Sequence, residues 1–416
     1  MNKMKIAAVL LAATLAGSAA AQDSNSVQIK PYGFIRTLGV VDTRESVVGT
    51  ADFFYYLPKD EKIVNGVDLN AQTNFSFAAL TSRVGLDILG YEVNGWKVSG
   101  RIESDFYAGV SGVTGTATLR LRLAFVTLNK EGLVTVKVGQ AWHPMATDLP
   151  HIFSLNSGAP FGPFSRTPQA TADWVLGEGT TLTTAAVWQM QYPSAGPSGA
   201  SADYMKYSGV PEVFVGLNVK RGGFTGRAGV DLLSIRPRHL DGTGTKKVKD
   251  RITTFSPYMY LEYTGGQFAV KAKTIFAQAG EHMNLNGGYG VTAMDSDGTW
   301  HYTPTRNSST WVSMTYGKKV QAVLFGGYVR NFGTAKEILS PSYLYFSKNS
   351  FSNMNRMFRI TPEVIFNWGK VSLGLEYEHT GVQYGSFGAG DTFGLATQDL
   401  HWVHNNRLQV MFRYSF

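Results

Sequence analysis

The 416-residue chain predicts an all-β fold, a transmembrane antiparallel β-barrel of sixteen strands with short turns at one end and long loops at the other. Three observations carry this. Alternating apolar and polar segments recur from Tyr32 to the end, very short Gly- and Asn-containing turns join them in pairs, and long polar loops separate the pairs. Successive side chains of a strand point to opposite faces, so each segment owns one apolar side. In the last ten residues Leu408, Val410, Phe412, Tyr414 and Phe416 fall on one face, and Arg407, Gln409, Arg413 and Ser415 on the other. A dry core would impose a prohibitive desolvation penalty on so many ions, so the charged face belongs in water. A barrel of about sixteen strands supplies that water as a channel.

The amino terminus comes first. Lys3 and Lys5 precede an apolar run from Ile6 to Leu15, and Ala19-Ala20-Ala21 offers a small-residue cleavage site before Gln22. Residues 1–21 therefore read as a secretory signal peptide, since the run is about half of the ~20 residues a spanning helix needs. Residues 22–416 then form a single barrel domain with both termini at the short-turn, periplasmic end. The chain has no cysteine, so nothing in it is held by disulfides. Its formal charge of +8 is spread singly along the strands rather than clustered, which argues against a nucleic-acid partner.

The strands are expected at 31–42, 73–91, 96–106, 118–128, 133–141, 169–176, 180–192, 212–220, 224–235, 251–263, 267–279, 309–316, 320–332, 356–366, 371–380 and 402–416. Asn94-Gly95, Gly222-Gly223 and Gly265-Gly266 are hairpin signals, because Asn and Gly accept positive φ. Long loops are expected near 43–72, 107–117, 142–168, 193–211, 236–250, 281–308, 333–355 and 381–401. Such loops are improbable inside one compact soluble domain and ordinary at the outer mouth of a membrane barrel. Tyr and Trp at strand ends, among them Tyr32, Tyr91, Trp174, Tyr316, Trp368 and Tyr414, suit interfacial girdles.

Inward cations outnumber inward acids. Arg83, Arg101, Arg120, Arg122 and Lys137 lie on four consecutive strands, near mid-barrel, with Arg36 on the first strand and Glu103 and Asp105 among them. Arg101 is expected to pair with Glu103 or Asp105. Loop 142–168 leaves the strand that carries Lys137, holds Asp148 as its only acid and carries Arg166 near its end. Rings of arginine favour anions, and the guanidinium suits bidentate capture of carboxylates and phosphates. The competing reading of each arginine is a wall-stiffening partner for a lumen acid. No motif for catalysis, nucleotide or metal is present, and the histidines fall mainly in loops with no metal-ligand spacing, so no catalytic residue, cofactor or metal is expected.

Several segments carry a family resemblance: Pro31-Tyr-Gly-Phe-Ile-Arg36, Ser82-Arg-Val-Gly-Leu-Asp-Ile-Leu-Gly90, Gly100-Arg-Ile-Glu-Ser-Asp-Phe106, Leu119-Arg-Leu-Arg-Leu-Ala-Phe-Val126, Val138-Gly-Gln-Ala-Trp142 and the terminal Tyr414-Ser-Phe416. In order and spacing they resemble Gram-negative outer-membrane porins, the DcaP-like porins most closely. The resemblance implies a homotrimer in outer-membrane lipid, a third loop folded into the lumen, and a terminal Phe416 that presents the chain to the barrel assembly machinery. Many general porins carry an acidic Pro-Glu-Phe-type third loop, and loop 142–168 departs from that. The expected function is passive diffusion of small hydrophilic solutes with a preference for anions such as dicarboxylates. The alternatives are an adhesive or structural barrel with a closed lumen, for which loops 43–72 and 281–308 are long enough, and a sugar- or phosphate-specific channel. A plugged transporter is disfavoured, because the chain lacks room for 22 strands.

Overall fold

The computed structural model describes residues 26–107, 116–346 and 351–416; the expected signal peptide lies outside them. Sixteen wall strands close into one antiparallel barrel. They are β1 (Gln28–Asp42), β2 (in two halves, Asn74–Ala78 and Arg83–Val93), β3 (Trp96–Tyr107), β4 (Thr118–Lys130), β5 (Val134–Trp142), β6 (Arg166–Gly177), β7 (Thr180–Val187) and β8 (Glu212–Arg221). The second half comprises β9 (Phe224–Ile235), β10 (Ile252–Gly265), β11 (Phe268–Gln278), β12 (Trp300–Tyr316), β13 (Val320–Thr334), β14 (Met354–Trp368), β15 (Val371–Ser386) and β16 (Gln398–Ser415). Each pairs with its chain neighbours, and β1 closes on β16 from Phe34↔Ser415 to Asp42↔Arg407. Closure leaves no unpaired edge, which lipid would not tolerate.

Side-chain chemistry sets which way each strand faces. On β16 Leu408, Val410, Phe412 and Tyr414 are exposed on the outer surface, while Arg407 and Gln409 are fully buried inside. The tight turns form where expected; Asn94 and Gly95 take φ of 50° and 72°, the pair of positive values a two-residue hairpin with the native strand twist requires. Tyr91, Trp174, Tyr316, Trp368 and Tyr414 point outward. Tyr32 does not: its hydroxyl donates to Glu103 at 3.1 Å inside the barrel.

Four expected elements differ most; the strand expected at 180–192 stops at Val187, and that expected at 371–380 runs on to Ser386. The strand expected at 73–91 breaks between Ala78 and Arg83, where Thr81 adopts φ of 76°, so β1 pairs with the two halves in turn. β12 begins at Trp300, nine residues earlier than expected, because its outer part pairs with a loop strand, Gly288–Met294. Its inward positions Thr303, Thr305 and Asn307 are small and polar, which imitates a loop in sequence.

The interior is not uniformly wet. Phe54, Tyr56 and Leu57 from the first long loop and Met145, Phe161 and Phe164 from the third pack against Phe214, Tyr260, Ile275, Trp311 and Phe325 of the wall. Burial of large apolar side chains such as Trp311 and Phe325 contributes roughly 1.5–3 kcal/mol each. The two loops thereby fill one side of the barrel with apolar packing.

Candidate functional site: an arginine-lined passage

Residues 143–165, between β5 and β6, cross the interior to the opposite wall. The amide of Phe153 donates to Glu363 at 2.8 Å, that of Ser154 to Glu376 at 3.3 Å, and Asn156 Nδ2 to Glu378 at 3.0 Å. Three inward acids of β14 and β15 therefore serve as acceptors for this segment. The rings of Phe153 and Phe161 sit directly over Gly374 and Gly327, where an added Cβ would come within 2.6 and 2.4 Å of them. Arg359 donates to the Ala159 and Tyr56 carbonyls at 3.2 and 2.7 Å, joining the third loop to the first. Nearer its root, Lys273 donates to the carbonyls of Met145 and Asp148 at 2.8 and 3.0 Å.

Beside this loop remains a cavity of about 1090 Å³. Its lining reaches from Gly199 and Phe346 in the long loops to Gln321 and Asn367 beside the short turns, so it extends along the barrel axis. The charged groups on it are Arg36, Arg83, Arg120, Arg122, Arg166 and Arg413 against Asp105 and Glu363. Glu363 already accepts the Phe153 amide. His151 also lines the cavity; burial, with Lys271 nearby, pushes its pKa below the usual histidine value, so the ring is neutral at pH 7.

The candidates separate into paired and unpaired arginines. Arg120 grips Asp105 through two bonds of 2.9 Å, and Arg122 reaches Glu103 and Asp105, both at 2.7 Å. Arg83 lies 3.6 Å from Glu103. Arg101 pairs with Asp87 at 2.6 and 2.9 Å, not with Glu103 or Asp105 as expected. The reason is a bulge at Leu89 and Gly90, which shifts the β2–β3 register and sets Asp87 opposite Arg101; Gly90 takes φ of 90°, which glycine accommodates without strain. Arg36 instead donates to Thr81 Oγ1 at 2.9 Å, and Arg166 to Gln191 at 3.2 Å. Among the described residues Arg36, Arg166 and Arg413 have no carboxylate within ion-pair distance. Arg166 keeps one terminal nitrogen without a hydrogen bond while its guanidinium lies over Trp142, 5.1 Å from the ring centre.

Four candidates do not line the cavity: Arg101 and Glu103, held in the ion pairs above, and Lys137 and Asp148. Lys137 places its ammonium 5.1 Å from the centre of the Phe125 ring and does not line the cavity. Asp148 faces the other wall, 2.7 Å from Arg227 and 3.8 Å from Lys273. His143 and His282 lie in loop segments, as expected of most histidines here, yet the fold buries both beside Glu212 and Asp231. Their separation in sequence gives no local signal.

A closed antiparallel sixteen-strand barrel crossed by its third loop defines an outer-membrane porin fold. Among solved structures the chain is similar to the outer membrane channel DcaP of Acinetobacter baumannii, with a TM-score of 0.68 and 20% identity over 96% of this chain and 100% of that one. It is also similar to the anion-selective porin from Comamonas acidovorans (TM-score 0.55, 10% identity, 94% of this chain and 100% of that one). The trimer form of Vibrio cholerae OmpT, an outer membrane protein, has a TM-score of 0.55 and 11% identity over 94% of this chain and 100% of that one. No family model matches the chain, and no curated protein matches its sequence.

Proposed function

We propose that the chain is a passive, water-filled channel of the Gram-negative outer membrane that admits small hydrophilic anions, dicarboxylates among them. The carrying observation is the cavity lining of six arginines against two carboxylates, with Arg36, Arg166 and Arg413 free of acidic partners among the described residues. A lumen of net positive charge stabilises anions and repels cations, and planar guanidinium groups match carboxylate geometry. The similarity to an anion-selective porin and to a trimeric barrel supports this reading and a homotrimeric assembly. In it residues 1–21 direct export, Phe416 serves the assembly machinery, residues 143–165 form the constriction, and the chain transports without catalysing.

Liposome swelling tests the proposal. Vesicles holding the purified protein should swell faster in succinate than in a neutral sugar of similar size, and slowest in a diamine. Equal rates for the three would remove the charge argument. A second reading, a structural barrel with a closed lumen, is favoured by the dry packing of the first and third loops. It predicts no swelling in any solute.

A further inference from the structure

Two histidines and two carboxylates from four separate segments converge inside the barrel, outside the arginine-lined cavity. Glu212 opens β8, Asp231 lies on the neighbouring β9, His143 follows β5 at the root of the third loop, and His282 sits in the short helical turn Gly280–Met283 of the sixth loop. All four are at most 2% exposed. His143 Nε2 is 2.6 Å from Glu212 Oε1 and 3.7 Å from Asp231 Oδ1, while His282 Nε2 is 3.5 Å from Glu212 Oε1 and 3.6 Å from Asp231 Oδ2. Only the first is a good hydrogen bond. His282 Nε2 and Asp231 Oδ1 are buried with no hydrogen bond among the described residues, each having only long ion-pair contacts of 3.5–3.7 Å.

His143, Glu212 and Asp231 offer ligand atoms that all lie within 4.8 Å of one another, and the 3.5 and 3.6 Å spacings that add His282 are the size of coordination-polyhedron edges. The 2.6 Å bond must open and His282 draw inward for an ion to enter. Zinc bonds of ~2.0–2.2 Å to imidazole nitrogen and carboxylate oxygen place tetrahedral ligands ~3.4 Å apart. His282 Nδ1 faces the Ala279 carbonyl at 3.0 Å, so Nδ1 can hold its proton there while Nε2, aimed at the two acids, gives up its own proton to a bound ion. His143 Nδ1 accepts the Met145 amide at 3.2 Å, so its Nε2 carries the proton shared with Glu212, and an ion bound at Nε2 displaces that proton. Two carboxylates balance a dication, and imidazole ligands select a transition metal over magnesium or calcium.

We propose that His143, Glu212, Asp231 and His282 form a binding site for a divalent transition-metal ion, zinc foremost, which ties the roots of the third and sixth loops to the barrel wall. The site is structural, since none of its ligands lines the passage.

Folded protein in detergent, stripped with a chelator and dialysed, is titrated with Zn²⁺ by calorimetry and its bound metal counted by mass spectrometry. One ion per chain is expected, and Co²⁺ in its place should give the intense visible absorption of tetrahedral cobalt. Asp231→Asn and His282→Gln, each checked for a folded barrel by heat-modifiable gel mobility, should weaken binding at least tenfold; His401→Gln, whose ring faces Asp60 elsewhere, should not. Less than a tenth of an equivalent of zinc, a weak octahedral cobalt spectrum, or binding indifferent to both variants overturns the proposal. The stoichiometry and the cobalt spectrum need no variant, so they decide even if a substitution prevents folding.

Discussion

Replacing Arg166 and Arg413 with glutamine removes two cavity arginines that have no acidic partner and keeps stems of similar polarity in place. The lining carries six arginines and two carboxylates, a formal +4, so the double variant retains +2. A unit charge about 8 Å from a passing ion contributes ~0.5 kcal/mol in water, and screening at 0.1 M salt reduces this to roughly 0.2–0.25 kcal/mol. Two lost charges act with opposite sign on anions and cations, so their difference changes by about 1 kcal/mol. The chloride-to-potassium permeability ratio should therefore fall about fivefold. The assay is the reversal potential of single channels in planar bilayers under a salt gradient, with unitary conductance recorded to show that the passage is intact. A ratio unchanged by the double variant refutes the assignment of selectivity to these residues.

Exchanging the Arg101–Asp87 pair for Gln and Asn together replaces a neutral pair by a neutral pair, so selectivity should stay the same; a clear shift in reversal potential would mean that the pair is not compensated. Gly374→Val drives a side chain into the Phe153 ring and should loosen the third loop, raising unitary conductance and its noise, whereas unchanged conductance would mean that the loop does not narrow the path. Acidification should raise anion preference as His151, neutral at pH 7 because its pKa is lowered, gains a proton below the usual histidine range. His151→Gln should lose that part of the pH response, and an identical profile in both proteins would exclude the residue. Removing Phe416 deletes the two backbone bonds with Gly33, 3.1 and 3.3 Å, that close the barrel at the short-turn end, and should lower the temperature of heat-modifiable unfolding.

The barrel was legible because two short-range rules, side-chain alternation and positive-φ turns, repeat along the whole chain. Leu408 and Arg407 declare their faces from composition alone. The arginine wall was legible for the same reason, and Arg36, Arg83, Arg120 and Arg122 do meet on one cavity. Their partners were not, because pairing depends on register, and the Gly90 bulge displaces it by one residue. The apolar filling of the lumen was also hidden: an inward Trp311 or Phe325 reads as an exception to polarity until the loop aromatics that cover it are in place. His143 and His282 meet only through the closed sheet. Nothing within a few residues of either announces the other.

An open passage of positive fixed charge must both conduct and favour anions. Purified wild-type protein in a planar bilayer, under a tenfold gradient of potassium chloride, tests both parts at once. Discrete conductance steps with a reversal potential of the sign set by chloride are predicted. An absence of steps, or a reversal potential of the sign set by potassium, would contradict it.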